Sequence, residues 1–149
     1  MAAIPEKDSD RPDPMTYGRG IPRGLGVNLL VRDVDRSARF QVEVFGARIL
    51  YWEEHFAIIQ ALGSTWLLHS DWTYRNHELM GAVAGVEARG GGVELRLYGV
   101  DPDLAEAAAR RRGAVVLARA AEKEHGLRET HIVDDDGYVW VPSVPAAGA

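Results

Sequence analysis

The chain contains the same pattern twice. In each copy an alternating apolar segment leads into an aspartate, a helix-like segment and a closing glycine. These residues are Asp33 and Gly46 in the first copy, 13 positions apart, and Asp101 and Gly113 in the second, 12 positions apart. An internal repeat constrains the architecture before any single motif does. We therefore expect two strand–helix–strand units whose sheets face each other across a shared space.

The pattern within each copy predicts the order β-α-β-β-β. In the first copy, a helix capped by Asp33 or Asp35 is flanked by strands at about 27–31, 47–52, 55–61 and 65–69. In the second copy, Asp101 and Pro102 form a helix start, and the Asp-Gly pair at 136–137 indicates a hairpin between the last two strands. We expect an α+β fold in which two βαβββ modules form a cup-shaped mixed sheet with the helices outside.

The domain boundaries follow from composition. Residues 1–23 are polar and broken by prolines, which predicts a flexible N-terminal arm. A single domain is expected over 24–145, made of modules at about 24–71 and 92–145. The long connection between the modules becomes glycine-rich at 90–92, which predicts a hinge.

Composition excludes several classes of function. The chain has 149 residues, of which 46% are hydrophobic, so it can bury the core of one domain. Its net charge of −5 argues against nucleic acid as a partner. It has no cysteine and no apolar run long enough to cross a membrane, and its N-terminus does not read as a secretory signal. We expect a soluble, cytoplasmic protein with neither a nucleic-acid nor a membrane partner.

These features resemble the vicinal-oxygen-chelate superfamily, which includes glyoxalase I, extradiol dioxygenases and the bleomycin- and fosfomycin-resistance proteins. The resemblance covers about residues 24–145 and rests on the repeat at 33–46 and 101–113 and on the acidic turn at 134–138. The stretch 125–129 is similar to a Trp-Gly-x-Arg-Glu stretch of the bleomycin-resistance branch, with His125 in place of the tryptophan. The resemblance implies a homodimer, because members commonly complete their cavity across a subunit interface.

The resemblance also implies four positions for metal ligands. They correspond here to Gly26, Leu67, Glu94 and Val141, of which only the glutamate carries a ligating side chain. Because divalent cations need several oxygen or nitrogen donors, we expect no metal and no cofactor.

One alternative keeps a metal site. A shift of two residues along the fourth strand would replace Leu67 by His69, which together with Glu94 forms half a site, with Asn28 as a third, weak donor. The acidic run at 134–136 is expected to be a solvated hairpin rather than a calcium site.

Strand alternation predicts what lines the cup. Asn28 and Leu30 from the first copy, and Glu94, Arg96 and Tyr98 from the second, are expected to face the cavity, while the residues between them face the helices. A charged group on such a face is paired, bound to a ligand or hydrated. Either Glu94 and Arg96 pair with each other, or both are available to a ligand.

Further candidates lie around the mouth of the cup. Trp72 and Tyr74 come from the long connection, and His125 and Arg128 from the family stretch. Trp140 is expected to pack outward, away from the cavity. The residues predicted to contact a ligand are Asn28, His69, Trp72, Glu94, Arg96, His125 and Arg128.

Two functions remain. The first is metal-independent binding of a small organic molecule, such as an antibiotic or an aromatic metabolite, with Glu94 favouring a cationic group and aromatic rings stacking on planar parts. The second is a lyase, isomerase or dioxygenase that uses Glu94 as a general base, with or without a metal bound by His69 and Glu94.

Overall fold

A computed structural model describes residues 13–148 of the chain. The helices and strands are, in chain order, α1 (Pro14–Arg19), β1 (Asn28–Val31), α2 (Val34–Phe45), β2 (Arg48–Glu53), β3 (Phe56–Ala61), β4 (Ser64–Ser70), a 3-10 helix (Asp71–Tyr74), α3 (Met80–Val83), β5 (Glu94–Tyr98), α4 (Pro102–Arg111), β6 (Val115–Glu122), β7 (Leu127–Val133) and β8 (Val139–Pro145). Residues 1–12 of the predicted arm lie outside the described residues. Within the rest of the arm, α1 begins after Asp13, whose side chain accepts hydrogen bonds from the first turn.

The described residues form two four-stranded sheets with the same internal order. The first sheet has the order β1-β4-β3-β2 and the second the order β5-β8-β7-β6. In each sheet the first strand runs parallel to its neighbour and the other pairs are antiparallel. The predicted α+β fold of two βαβββ modules is therefore confirmed.

The repeated aspartates and glycines bound the two long helices. Asp33 caps α2 by accepting a hydrogen bond from the Arg36 amide at 2.9 Å, and Gly46 ends the helix in the left-handed conformation at φ 68°. Asp101 caps α4 in the same way, and Pro102 occupies the first turn. The resemblance between the copies therefore reflects the same local capping chemistry.

One hydrophobic core spans both modules. It lies between the helices and the sheet faces that the alternation assigned to them, where Leu29, Val31 and Leu97 are buried. Trp140 is 2% exposed and connects the halves, with its ring centroid 5.2 Å from that of Phe45 and 5.6 Å from that of Trp66. No helix in the part of the chain from 13 to 148 is long and apolar enough to cross a membrane.

The acidic hairpin is not solvated, as the sequence had led us to expect, but largely buried. Asp134 is 8% exposed and Asp136 is 1% exposed. The carboxylate of Asp134 accepts hydrogen bonds from the amides of Asp136 and Tyr138, both at 3.0 Å. Asp136 accepts a hydrogen bond from the Arg32 amide at the end of β1, also at 3.0 Å. The turn buries its acids because it docks on the first module, and backbone amides satisfy the carboxylates there.

The glycine-rich connection is not a free hinge at Gly90. This residue is buried, and its amide donates a hydrogen bond to the Gly137 carbonyl at 3.1 Å. The Arg89 amide donates to the Asp136 carbonyl at 3.3 Å. A Cβ atom on Gly137 would lie 2.3 Å from the Glu87 carbonyl oxygen, so the two backbones are in direct contact. The connection is thus packed onto the hairpin of the second module.

Candidate functional site

The concave face of the second sheet combines an apolar floor with charged side chains. Strand register and alternation place one set of side chains on the face that points away from the helices: Glu94, Arg96 and Tyr98 of β5, Val139, Val141 and Ser143 of β8, and Glu129 and His131 of β7. Val141 and Ser143 are fully buried, whereas Glu94 and Tyr98 are exposed. A ligand on this face would therefore meet polar groups above a closed floor.

Arg96 is the centre of an ionic network on this face. Its guanidinium donates to Glu94 Oε2 at 2.6 Å and to the Glu129 carboxylate. His131 Nε2 lies 2.9 Å from Glu94 Oε1, and His125 Nε2 lies 3.2 Å from Glu129 Oε2. Of the two arrangements that the sequence left open, the structure has the Glu94–Arg96 pair, and it extends that pair to three further residues.

The network holds its two carboxylates in the charged form. Hydrogen bonds from His131 and then from Arg96 lower the pKa of Glu94. Burial acts to raise the pKa of Glu129, but hydrogen bonds from Arg96 and His125 outweigh it, so this pKa is also lowered. The two carboxylates and the one guanidinium carry a net formal charge of −1 between them. These three groups together would therefore attract a cation.

A groove of about 480 Å³ runs along the outer edge of β5. Glu94, Arg96 and Tyr98 line it together with Trp66 and Trp140, which are both buried, whereas Tyr98 is exposed. A second groove of about 540 Å³ shares Trp66 and its neighbours on β4 and extends along the start of β1. An exposed aromatic ring beside a few placed polar groups is typical of small-molecule sites.

The concave face of the first sheet has a different polar group. Asn28 Oδ1 lies 2.5 Å from His69 Nδ1, and Asn28 Nδ2 donates to the Tyr74 hydroxyl at 2.9 Å. The Phe56 ring centroid lies 4.8 Å from that of His69. Burial lowers the pKa of His69, although the charge of Glu53 opposes the shift. This group is separate in its hydrogen bonding from the network around Arg96.

The predicted site residues thus fall into two groups rather than one. Glu94, Arg96 and His125 belong to the network on the second sheet, and Asn28 and His69 to the group on the first. His69 and Glu94 share no hydrogen-bond or ion-pair partner among residues 13–148.

Two predicted site residues lie elsewhere. Arg128 was predicted to contact a ligand at the mouth of the cup, and this stays a prediction. Its guanidinium forms two 2.7 Å hydrogen bonds to Asp103 of α4, on the helix side of the sheet, because Arg128 alternates with the inward-facing Glu129. Trp72 is 54% exposed and stacks on His55 at 4.5 Å, with the Arg75 guanidinium 3.7 Å from its ring. Among residues 13–148, no hydrogen bond or ring contact joins Trp72 to either group.

Sequence reasoning missed Glu129 and His131. They alternate on β7 as Glu94 and Arg96 do on β5, and this spacing could have placed both on one face. The proximity of these two residues to β5 could not be predicted from strand alternation, because β8 lies between β5 and β7 in the sheet.

The donor set does not fit a divalent metal. At the four positions that the resemblance implied, Gly26, Leu67 and Val141 offer no side-chain donor, and the Glu94 oxygens already bind His131 and Arg96. Within the described part of the chain, no group of three or more His, Asp or Glu side chains is placed to hold a metal ion.

Comparison with solved structures identifies the fold. No family model matches the sequence, and no curated protein matches it. A glyoxalase/bleomycin resistance protein/dioxygenase from Nocardioides is similar at a TM-score of 0.62 and 19% identity, over 91% of this chain and 92% of that one. TioX from Micromonospora sp. ML1 is similar at 0.59 and 22% identity, over 85% and 99%. The fosfomycin resistance protein FosX from Listeria monocytogenes is similar at 0.62 and 12% identity, over 85% and 96%.

These likenesses show the fold of the glyoxalase, bleomycin-resistance and dioxygenase proteins. The chain therefore has the vicinal-oxygen-chelate fold that the resemblance in its sequence predicted. At these identities the neighbours' activities do not transfer with the fold, because this fold hosts several chemistries.

Proposed function

We propose that this protein binds a small organic cation, such as an antibiotic or an aromatic metabolite with a positive charge, and that it does so without a metal ion. One observation carries the proposal: the side chains of Glu94, Arg96 and Glu129 together carry an excess of negative charge and border a groove lined by the exposed ring of Tyr98. A cationic group would contact the half-exposed carboxylate of Glu94, and a planar ring would lie against the exposed ring of Tyr98.

The lowered pKa of Glu94 supports binding over catalysis. A general base is most effective when its pKa lies near the working pH. Hydrogen bonds from His131 and Arg96 instead lower the pKa of Glu94, away from neutral pH. A lyase, isomerase or dioxygenase that depends on Glu94 is the alternative, and a Glu94→Gln variant separates the two. It would abolish turnover in such an enzyme and would only weaken affinity in a binding protein.

The direct test is calorimetry with two ligands of the same shape. Phenyltrimethylammonium carries a charge, and tert-butylbenzene is its neutral counterpart. We expect the cation to bind more tightly and Glu94→Gln to weaken its binding by roughly three- to tenfold, as for an exposed charge pair next to aromatic rings. Glu124→Gln, in an exposed turn, is the matched control and should keep wild-type affinity. Equal affinity for both ligands would refute the proposal.

We also infer a homodimer, in which the second copy covers the groove. Apolar side chains that line the groove are strongly exposed in the single chain, with Leu25 at 97%, Tyr98 at 62% and Leu62 at 61%. Exposed apolar groups clustered around a cavity are typical of an interaction surface. Light scattering should give twice the chain mass, and Leu62→Glu should shift it to the monomer. The cytoplasmic location stays a prediction.

A further inference from the structure

The concave face of the first sheet holds a histidine in one defined protonation form. Asn28 Oδ1 can only accept a hydrogen bond, so the proton in its 2.5 Å contact with His69 belongs to Nδ1 of the ring. The Asn28 Nδ2 donates a hydrogen bond to the Tyr74 hydroxyl at 2.9 Å, and the amide oxygen faces His69. In this arrangement the imidazole carries its proton on Nδ1.

This assignment leaves Nε2 of His69 as a lone-pair acceptor. No hydrogen bond to Nε2 is formed by any residue in the described part of the chain, and Nε2 is not among the buried polar atoms that lack a partner, so solvent reaches it. Burial of the ring lowers the pKa of His69, against the opposing charge of Glu53, and keeps the neutral form favoured. A neutral, oriented imidazole with an open acceptor is suited to bind a hydrogen-bond donor.

Aromatic rings flank this acceptor. The Phe56 ring lies at 4.8 Å from the His69 ring and is tilted by 50°, and the Tyr74 ring lies at 5.6 Å, edge-on at 74°. Tyr51 extends the cluster, 5.9 Å beyond Phe56. Rings in these arrangements present faces and edges to a further planar group.

We propose that the first sheet carries a second small-molecule site, in which His69 Nε2 accepts a hydrogen bond from a planar aromatic ligand bearing an O–H or N–H group, such as a phenol or an indole. This site differs in chemistry from the one on the second sheet. The latter carries excess negative charge and selects a cation, whereas the His69 site is neutral and selects a donor.

The test uses nitrogen-15 NMR of the histidine side chains in the full chain. In the free protein, the shifts of His69 should report Nδ1–H and a bare Nε2. Titration with phenol should move the Nε2 signal as its lone pair becomes engaged. Anisole has the same ring but no donor, and we expect it to bind several-fold more weakly. Indole and 1-methylindole form a second pair with the same contrast.

Variants separate the acceptor from mere packing. His69→Phe keeps an aromatic ring, removes the acceptor and should abolish the preference for phenol over anisole. Asn28→Ala removes the hydrogen-bond acceptor that holds the proton on His69 Nδ1, and it should reduce the preference for phenol while keeping the imidazole ring. His55→Phe, at a histidine that contacts Ser70 and Trp72, is the matched control and should leave the preference intact.

Three results would overturn the proposal. They are an Nε2–H tautomer in the free protein, an unchanged His69 signal at saturating phenol, and equal affinity for phenol and anisole in the wild type. The comparison of the two ligands on the wild-type chain stands even if His69→Phe does not fold. Because its probes are uncharged, a negative result here leaves the proposed cation site untested and a positive one does not support it.

Discussion

The indole Nε1 of Trp140 donates a hydrogen bond to the carboxylate of Asp134 at 2.8 Å, and both residues are buried. This contact connects the acidic hairpin of the second module to the tryptophan at the centre of the core. Burial is the largest influence on Asp134 and raises its pKa from 3.8 to about 6, against the hydrogen bonds from Trp140 and the backbone.

Asp134 is therefore expected to make stability depend on pH. Since its pKa is higher in the folded than in the unfolded chain, the group contributes stability below pH 4 and loses it as the pH rises through about 6. The shift corresponds to roughly 2–3 kcal/mol. Urea unfolding between pH 4 and 7 measures it. In Asp134→Asn, the part of the pH-dependent fall in stability that comes from Asp134 should be absent. The variant should be less stable overall, because both carboxylate oxygens accept hydrogen bonds and asparagine has only one side-chain oxygen. An equally steep decline in wild type and variant would disprove the assignment.

Gly137→Ala should be strongly destabilising. The new Cβ would lie 2.3 Å from the Glu87 carbonyl oxygen and 2.6 Å from Ala88 Cα, at a φ of +83°. We expect a loss above about 2 kcal/mol, since backbone atoms must move in addition to the cost of the left-handed conformation. Gly113→Ala is the control: its φ is +72° but the space around it is open, so only about 1 kcal/mol should be lost. Similar melting temperatures for the two variants would show that the connection does not pack tightly on the hairpin.

Arg96→Gln should destabilise the protein by about 2–3 kcal/mol, because it leaves the buried carboxylate of Glu129 without its cation. The double variant Arg96→Gln/Glu129→Gln removes that charge and should recover much of the loss. In the single variant the pKa of Glu129 should rise above its unfolded value, so stability should fall with increasing pH near neutrality. Denaturant unfolding of the wild type, Arg96→Gln, Glu129→Gln and the double variant measures the coupling energy between the two residues. If the losses of the two single variants simply add in the double variant, the expectation is contradicted.

Arg128→Gln should leave ligand affinity unchanged. Its guanidinium bonds Asp103 on the helix side of the sheet and takes no part in the network around Arg96. The pair is partly exposed and screened by solvent, so the cost in stability should be small. Calorimetry with phenyltrimethylammonium checks the first expectation. A loss of affinity as large as that of Glu94→Gln would place Arg128 in the site after all.

The purified protein should not retain a divalent metal. After incubation with zinc, nickel, manganese or ferrous iron and subsequent desalting, we expect elemental analysis to find no stoichiometric metal, because Glu94 is the sole donor at the four implied positions. Retention of one equivalent would instead favour the enzyme alternative. His69→Ala and Glu94→Gln would then show whether those two residues hold the ion.

Much of the fold follows from local features of the sequence. The caps at Asp33 and Asp101 and the left-handed Gly46 act within one helical turn, and alternation along β1 and β5 depends on immediate neighbours. Such features are visible in any stretch of the chain, so the order of elements and the faces of the first strand in each module could be predicted.

The site depended on contacts between distant residues. Arg96 meets Glu129 because β5 and β7 flank β8, and Asp136 is buried because the second hairpin docks on the end of β1. The register of β7 against β8 places Glu129 on the concave face. The adjacent Arg128 therefore points to the opposite face, toward α4. The sequence by itself determined two βαβββ modules and the polarity of their inner faces, since capping and alternation are local. Only the tertiary structure decided which charges pair and which acids are buried, because strand order and module docking join residues that are 30 to 100 positions apart.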